Sequence, residues 1–445
     1  MRTLILAAVV AVLAGPTFAQ TPEPSAATRS MAAGYKALMV CGALKNAEDA
    51  GGSRTVESVK ANELVSVYSE LDGLVRDLPV EVTESAVSVA WDEAMPPRVA
   101  THIRLLGCRI MPVGWTGPGL QIDHEGSRGP ERPLAVGEPV GNPTLLGEAI
   151  EGAFDDRFGN GTNTTGIVIL QNGRIVAERY AAGFGKDTPQ RTWSVAKSLA
   201  GTIIGAAVHR GEVDVNAPAA IADWSGEGDP RAAITLDNLM RMASGLTSDT
   251  AGNRTDGLYF GGVGVDEQVT TWPLIAPPGS RYRYANNDTL LAVLSIAPTF
   301  RRLPPEELFR TLGMVDTVAE TDWRGNYVLS SQVWSTARDL ARFGQLYLDD
   351  GMVDGVRVLP EGWLDYVSRP SGPQPGGEQG YGATFWLFDK SEGIPTDAIS
   401  ANGNRGQYVV IVPSRDIVIV RRGEDPAGKR FDFIAFTRDV LAALD

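Results

Sequence analysis

The sequence predicts an α+β protein: an antiparallel sheet flanked by helices, a helical subdomain, and a small N-terminal α+β unit ahead of them. Three observations carry this. "GIVILQNGRIVAERY" is two strand-like runs joined at Asn172-Gly173, the dipeptide that suits a tight primed turn. "GQYVVIVPSRDIVIVRRG", near the end, is a second hairpin with its turn at Pro413 to Asp416. Between them the apolar pattern is mostly helical, so strands from both ends of this region meet in one sheet that helices cover.

The elements follow in order. "MRTLILAAVVAVLAGPTFAQ" has a basic Arg2, an apolar core to Ala14 and small residues before Gln20, the pattern of a signal peptide over residues 1–19. It is too short and wrongly flanked for a membrane span, and no other apolar run is long enough for one. Residues 20–140 read as the small α+β unit and its linker. "SMAAGYKALMVCGALKNA" and "TVESVKANELVSVYSELDGLV" carry helical periodicity, "SAVSVAW" alternates like a strand, and "RVATHIRLLGCRI" reads as its partner. The tract "GWTGPGLQIDHEGSRGPERPLAVGEPVGNPT" is rich in Gly and Pro, as a linker or surface wrap would be. The main domain spans 141–445. Its helices include the one opened by Ser194, "TLDNLMRMASGL" with Thr235 as N-cap and Gly245 as stop, "TARDLARFGQLYLDDG", and the final "RFDFIAFTRDVLAALD".

Composition narrows the function. The 445 residues are 43% hydrophobic and 21% charged, a globular composition, and the net charge is −14. No basic cluster carries interleaved aromatics, so nucleic acid is not the expected partner; a small molecule is. The two cysteines, Cys41 and Cys108, both lie in the N-terminal unit. An oxidising compartment favours a bridge between them, with two buried free thiols as the alternative.

One lysine stands out. Lys197 opens the stretch "SLAGTIIGAAVH", apolar on nearly every side, and Ser194 lies three residues before it on the same helical face. Residues at that spacing have Cβ atoms about 5–6 Å apart. Serine is a weak nucleophile until a base takes its proton. A lysine in an apolar wall has its ammonium disfavoured, so its amine can be that base. The helix N-terminus also favours negative charge developing near the serine.

The histidines test the alternative of a Ser-His-Asp triad. His209 ends the Ser194 helix, roughly 22 Å away along a straight axis. His102 and His124 belong to the N-terminal unit and its linker. Neither a triad nor a multi-histidine metal site is well supplied, so the chemistry is read without metal or cofactor.

Two further segments complete the constellation. "PPGSRYRYANNDTLLAVL" brings Tyr284 and Asn286 to the start of a helix: the phenol can share a proton with a lysine, and the amide can hold a substrate carbonyl or the lysine itself. "SANGNRGQYVV" places Gly403 and Gly406 at the entry to a strand, where backbone N–H groups can approach an oxyanion.

Together, Ser194-Val-Ala-Lys197, Tyr284-Ala-Asn286 and Ala401-Asn-Gly403 resemble the three motifs of serine β-lactamases and penicillin-binding proteins. "LDNLMRMASGL", "PPGSRYRYANND" and "TARDLARFGQLYL" are similar to stretches of the class C β-lactamase-related serine hydrolases. "ANGNRGQYVVIVPSRDIVIVRRG" is similar to the ending of their 6-aminohexanoate-dimer hydrolase branch. The resemblance covers about residue 145 to the C-terminus and implies a β-lactamase/transpeptidase-like fold. It implies Ser194 as the acylated nucleophile, Lys197 as general base, and Tyr284 as the group that protonates the leaving group and then activates water. The sequence leaves open which of Lys197 and Tyr284 takes the first proton. Asn286, Ala401, Gly403 and Asn404 would form the substrate subsite, with the N–H groups of Ser194 and Asn404 as the oxyanion hole. Ala401 stands where β-lactam enzymes usually present a lysine or histidine for the drug's carboxylate, which favours an exported esterase or amidase. Neighbouring Arg405 is the residue that could replace the missing cation. A β-lactamase, a D-Ala-D-Ala carboxypeptidase, or a non-catalytic penicillin-binding or sensing homologue are the alternative readings.

Overall fold

The computed structural model describes residues 23–117, 128–130, 132–247, 255–370 and 372–445. The signal-peptide segment lies outside them, as do His124 and parts of the Gly/Pro-rich tract. Among the described residues no helix is long and apolar enough to cross a membrane.

The N-terminal unit opens with α1 (Ala26–Asp49), capped by Ser25, whose hydroxyl accepts from the Thr28 N–H. Nearly every residue from Ser30 to Ala47 is buried, the polar Lys36, Lys45 and Asn46 included. Lys36 lies inside it, and its Nζ donates to the carbonyls of Arg76 and Leu78 at 2.7 Å each. After α2 (Val56–Ala61) come β1 (Val80–Val82), β2 (Ala86–Val89), β3 (Arg98–Ile103) and β4 (Gly107–Ile110), one four-stranded antiparallel meander. "RVATHIRLLGCRI" is therefore two strands and not one, because Leu105 (φ 60°) turns the chain between β3 and β4. Cys41 of α1 and Cys108 of β4 are bridged. Closing a loop with a sequence separation of 67 contributes about 4 kcal/mol in the chain-entropy account.

The second helical pattern of the N-terminal unit stops early. Helix α2 ends at Asn62 (φ −123°, ψ −81°), and residues 62–78 run as turns. The reason lies elsewhere in the chain: the carbonyls of Asn62 and Val65 accept from Arg405, at 2.7 and 2.6 Å, and locally Asn62 closes only a turn, accepting from the Val65 N–H at 3.1 Å. An arginine fork thus outcompetes local helical propensity.

Beyond α3 (Pro143–Ala153), the hairpin of β5 (Thr164–Gln171) and β6 (Arg174–Tyr180) turns at Asn172 and Gly173, both at positive φ as a primed turn requires. Short β7 (Gln190–Arg191) leads into α4 (Val195–His209). A helical region follows, with α5 (Leu236–Met240), α6 (Val265–Val269), α7 (Asn286–Ser295) and α8 (Pro305–Thr311). Thr235 caps α5 through a reciprocal box with Asn238, but the helix ends at Met240, five residues before Gly245. Then come β8 (Val318–Ala319), β9 (Val333–Ser335), α9 (Ala337–Leu348), the small hairpin β10 (Met352–Val353) and β11 (Val356–Arg357), and α10 (Trp363–Ser368). The chain closes with β12 (Gly380–Tyr381), β13 (Trp386–Leu387), β14 (Ile399–Gly403), β15 (Gln407–Val412), β16 (Ile417–Gly423) and α11 (Phe433–Ala443).

The main sheet is antiparallel with strand order β12-β13-β14-β15-β16-β5-β6, so the two hairpins read from sequence meet along the β16–β5 seam. Helices α4 and α9 cover one face; α3 and α11 pack together over the other, around Phe158, Phe431 and Phe436. Part of the Gly/Pro-rich tract runs along the β6 edge, where Val136 bridges Ile175. Helix α1 does not pack apart from this body. Its residues share one continuous core with the sheet and α4: Tyr35 meets Phe260 with ring centroids 5.4 Å apart, and the Asn46 amide donates to Glu320 at 3.1 Å.

Candidate active site

The nucleophile candidate is presented by a strained turn. Strand β7 pairs with β9, Thr192 donates its N–H to Val333, and Trp193 then takes φ 50° before α4 begins. A bulky residue in that region costs on the order of 1–3 kcal/mol and persists only when its surroundings hold it. Here the Arg191 guanidinium lies 3.8 Å over the Trp193 ring and 4.6 Å over Tyr259. The turn leaves Ser194 as N-cap of α4 with no side-chain cap bond, its hydroxyl turned to the chemistry.

Lys197, one turn on, is only 1% exposed. Its Nζ lies 3.2 Å from Ser194 Oγ, 2.5 Å from Asn286 Oδ1 and 2.9 Å from the Ser330 carbonyl. Burial pushes its pKa down to about 7. In the neutral form its two N–H bonds serve the two carbonyl oxygens, which leaves the lone pair for the Ser194 hydroxyl. Asn286 reaches this point because α7 begins there, with Ala285 as its N-cap.

Tyr284 lies across the amine: Nζ is 5.1 Å from its ring centroid, and the phenol is hydrogen-bonded with Ser194 and Trp386. Burial pushes its pKa up to about 12 in spite of those bonds. Trp386 and Tyr381 clamp the ring, at 5.4 and 5.9 Å between centroids.

The third segment ends β14. Gly403 faces the nucleophile turn so closely that a Cβ there would come within 2.3 Å of the Thr192 carbonyl and 3.2 Å of Ser194 N. Only glycine lets the two backbones meet. Asn404 follows, and its Oδ1 accepts from the Arg405 N–H at 2.9 Å. Ala401 is the exception among the expected site residues: it is fully buried in the core, and by strand alternation Asn402 faces the cavity instead. Arg405 does not reach the cavity. Its guanidinium pairs with Glu424 at 2.8 Å, both side chains almost wholly buried, and its remaining donors go to Asn62, Val65 and Glu424 carbonyls.

Ser194, Tyr284, Asn286, Gly403 and Asn404 line one open cavity of about 450 Å³, with Lys197 beneath it. The irregular stretch "TSDTAGNRTDGLYFGGVGVDEQ" after α5 reads from sequence as the pocket wall; its residues 248–254 lie outside the described residues, and its Tyr259 lines the cavity. Contributors the sequence reading missed include the Ser330 carbonyl, Trp386, Tyr408, Phe433, Arg430 and, from the N-terminal unit, Tyr68. Backbone carbonyls leave no sequence signal, but the aromatic residues of β12 and β13 could have been noted. His102 pairs with Asp49 at 3.0 Å, and neither it nor His209 lines the cavity. Among the described residues no cluster of three or more His, Cys, Asp or Glu is arranged to hold a metal ion.

Comparison with known proteins gives the family and the fold. A family model described as Beta-lactamase matches residues 149–439. The 6-aminohexanoate-dimer hydrolase of Paenarthrobacter ureafaciens is 27% identical over 297 residues, which cover 60% of this chain and 74% of that protein. Among solved structures, a Bacillus anthracis protein assigned as a 6-aminohexanoate-dimer hydrolase aligns with a TM-score of 0.56 at 22% identity, covering 71% of this chain and 87% of that one. A class C beta-lactamase aligns with a TM-score of 0.52 at 14% identity, over 68% and 96%. At these identities the structural matches establish a shared fold.

Proposed function

Because the chain belongs to the beta-lactamase family and is a serine hydrolase, we propose that it cleaves an ester or amide bond through an acyl-enzyme on Ser194, with Lys197 and Tyr284 as its proton-handling pair. The observation that carries the reading is the buried amine of Lys197, 3.2 Å from Ser194 Oγ and fixed by two carbonyl oxygens. Ser194 Oγ attacks the substrate carbonyl while its proton passes to Lys197 Nζ. The resulting oxyanion faces the N–H groups of Ser194 and Asn404, and Asn286 steers the substrate amide or ester. The carbon–leaving-group bond then breaks. The neutral Tyr284 phenol gives its proton to the leaving alcohol or amine and recovers one from the Lys197 ammonium. In the second half a water loses its proton to the same pair and attacks the acyl carbon, and Ser194 is released with its hydroxyl restored.

Intact-protein mass spectrometry after treatment with a fluorophosphonate tests this. One adduct is expected on the native protein and none on Ser194→Ala. Labelling that survives the substitution would move the nucleophile elsewhere. An acyl-enzyme that forms with a penicillin and never turns over would favour the sensing alternative.

Export belongs to the same reading. The leader-like residues 1–19 support it, as does the Cys41–Cys108 bridge, since such bridges persist in oxidising compartments. Cell fractionation with N-terminal sequencing is expected to find the chain outside the cytoplasm, starting at Gln20; an intact Met1 in the cytosol would refute it.

A further inference from the structure

The family match begins at residue 149, yet part of the cavity wall comes from far upstream. Tyr68 lines the cavity, and its ring stands edge-on to Phe260 and Tyr35, with centroids 5.1 and 5.7 Å away. The loop that carries it is tied down on both sides. Asn62 and Val65 accept from the Arg405 guanidinium, Ser66 accepts from the Ala427 N–H at 2.8 Å, and the Val67 N–H donates to Asp72 at 3.1 Å. Arg405 follows Gly403 and Asn404 of the site, and Ala427 lies in the loop that carries Arg430 to the cavity. Other large rings at the cavity come from separate segments: Trp193 of the nucleophile turn, Tyr259, Tyr284 before α7, Trp386 of β13, Tyr408 of β15 and Phe433 of α11. A cavity with rings from several segments offers a ligand flat faces with quadrupoles, which an aromatic group can match beyond simple apolar contact.

We propose that residues 62–68 are a specificity element of the active site, and that Tyr68 selects substrates carrying an aromatic ring next to the scissile carbonyl. This rests on the serine-hydrolase reading and adds its substrate class. The rigid loop means that the ring is presented ready-made, so ordering it costs the substrate little. Short aliphatic esters fit the same nucleophile but leave the Tyr68 face unused.

The test compares kcat/KM for methyl phenylacetate and methyl acetate. The native protein is expected to prefer the aryl ester by tenfold or more. Tyr68→Ala is expected to lose about tenfold of that preference, chiefly through a higher KM for methyl phenylacetate. Tyr68→Phe keeps the preference, because the ring and not the hydroxyl makes the contact. If Tyr68→Ala does not fold, Tyr68→Leu fills the volume without a ring and is expected to lose the preference likewise. An unchanged ratio, or an equal fall for both esters, overturns the proposal and leaves Tyr68 a structural residue. Failure of the underlying reading looks different: no ester at all would be cleaved, and Ser194 would not be labelled.

Discussion

Lys197→Ala is expected to lower kcat/KM by more than the roughly 10²–10⁴-fold that acid–base catalysis alone contributes. The excess has a structural source. The same amine orients Ser194 Oγ and ties it to Asn286 and the Ser330 carbonyl, so its loss frees the nucleophile as well as removing its base. Lys197→Arg is not expected to rescue, since a guanidinium stays protonated at any working pH. Substantial turnover by the arginine variant would rule out lysine as the base. The pH dependence provides a second check, and its sign follows from burial. Below about pH 7 the folded-state amine is an ammonium without a lone pair; above it the amine is free to take the serine proton. The kcat/KM of the native protein therefore rises with pH through about 7. Tyr284, pushed up to about 12, stays a neutral phenol across that range and adds no descending limb. In the proposed mechanism this order makes Lys197 the acceptor of the first proton and Tyr284 the relay. A flat profile from pH 5 to 9 would contradict the assignment. Circular dichroism of the variants separates lost chemistry from lost fold.

The hairpins and the Ser194 helix were legible in the sequence because each rests on local signals. Asn172-Gly173 fixes a primed turn by backbone conformation alone, and an apolar run behind Ser194 leaves Lys197 no route to water. Spacing on one helix then brings the hydroxyl and amine together without knowledge of the rest of the chain. What was not legible depends on partners distant in sequence. Residues 62–78 have a helical pattern, yet the carbonyls of Asn62 and Val65 are claimed by Arg405, some 340 residues away. Trp193 is held at positive φ by Arg191 and the packing around it, and no residue preference announces that strain. Ala401 was expected to face the substrate, and strand alternation hands that place to Asn402. A motif fixes which residues assemble, but the pleat decides which of its side chains reaches the cavity.

That alternation bears on the last prediction: short esters and linear amides are expected to be cleaved at least ten- to a hundredfold better, in kcat/KM, than penicillins or cephalosporins. A β-lactam carboxylate entering a partly desolvated site needs a cation or strong donor, and a hydrogen bond to a charged group is worth about 1.5–3 kcal/mol. Ala401 provides none. Arg405 stands next along the chain but is unavailable: swinging it inward would abandon Glu424 in a buried site, where breaking such a pair costs about 3–5 kcal/mol. That exceeds what the new contact returns. Among the described residues that line the cavity, the remaining cation is Arg430, exposed on the loop before α11. Nitrocefin hydrolysis at a kcat/KM near that of methyl acetate would sink the esterase and amidase preference. In that event Arg430→Ala decides the cause. Loss of cephalosporin turnover with ester cleavage retained would identify Arg430 as the carboxylate's partner. Arg405→Ala, by contrast, should weaken both reactions together, because it loosens the turn that carries Asn404 and the loop that carries Tyr68.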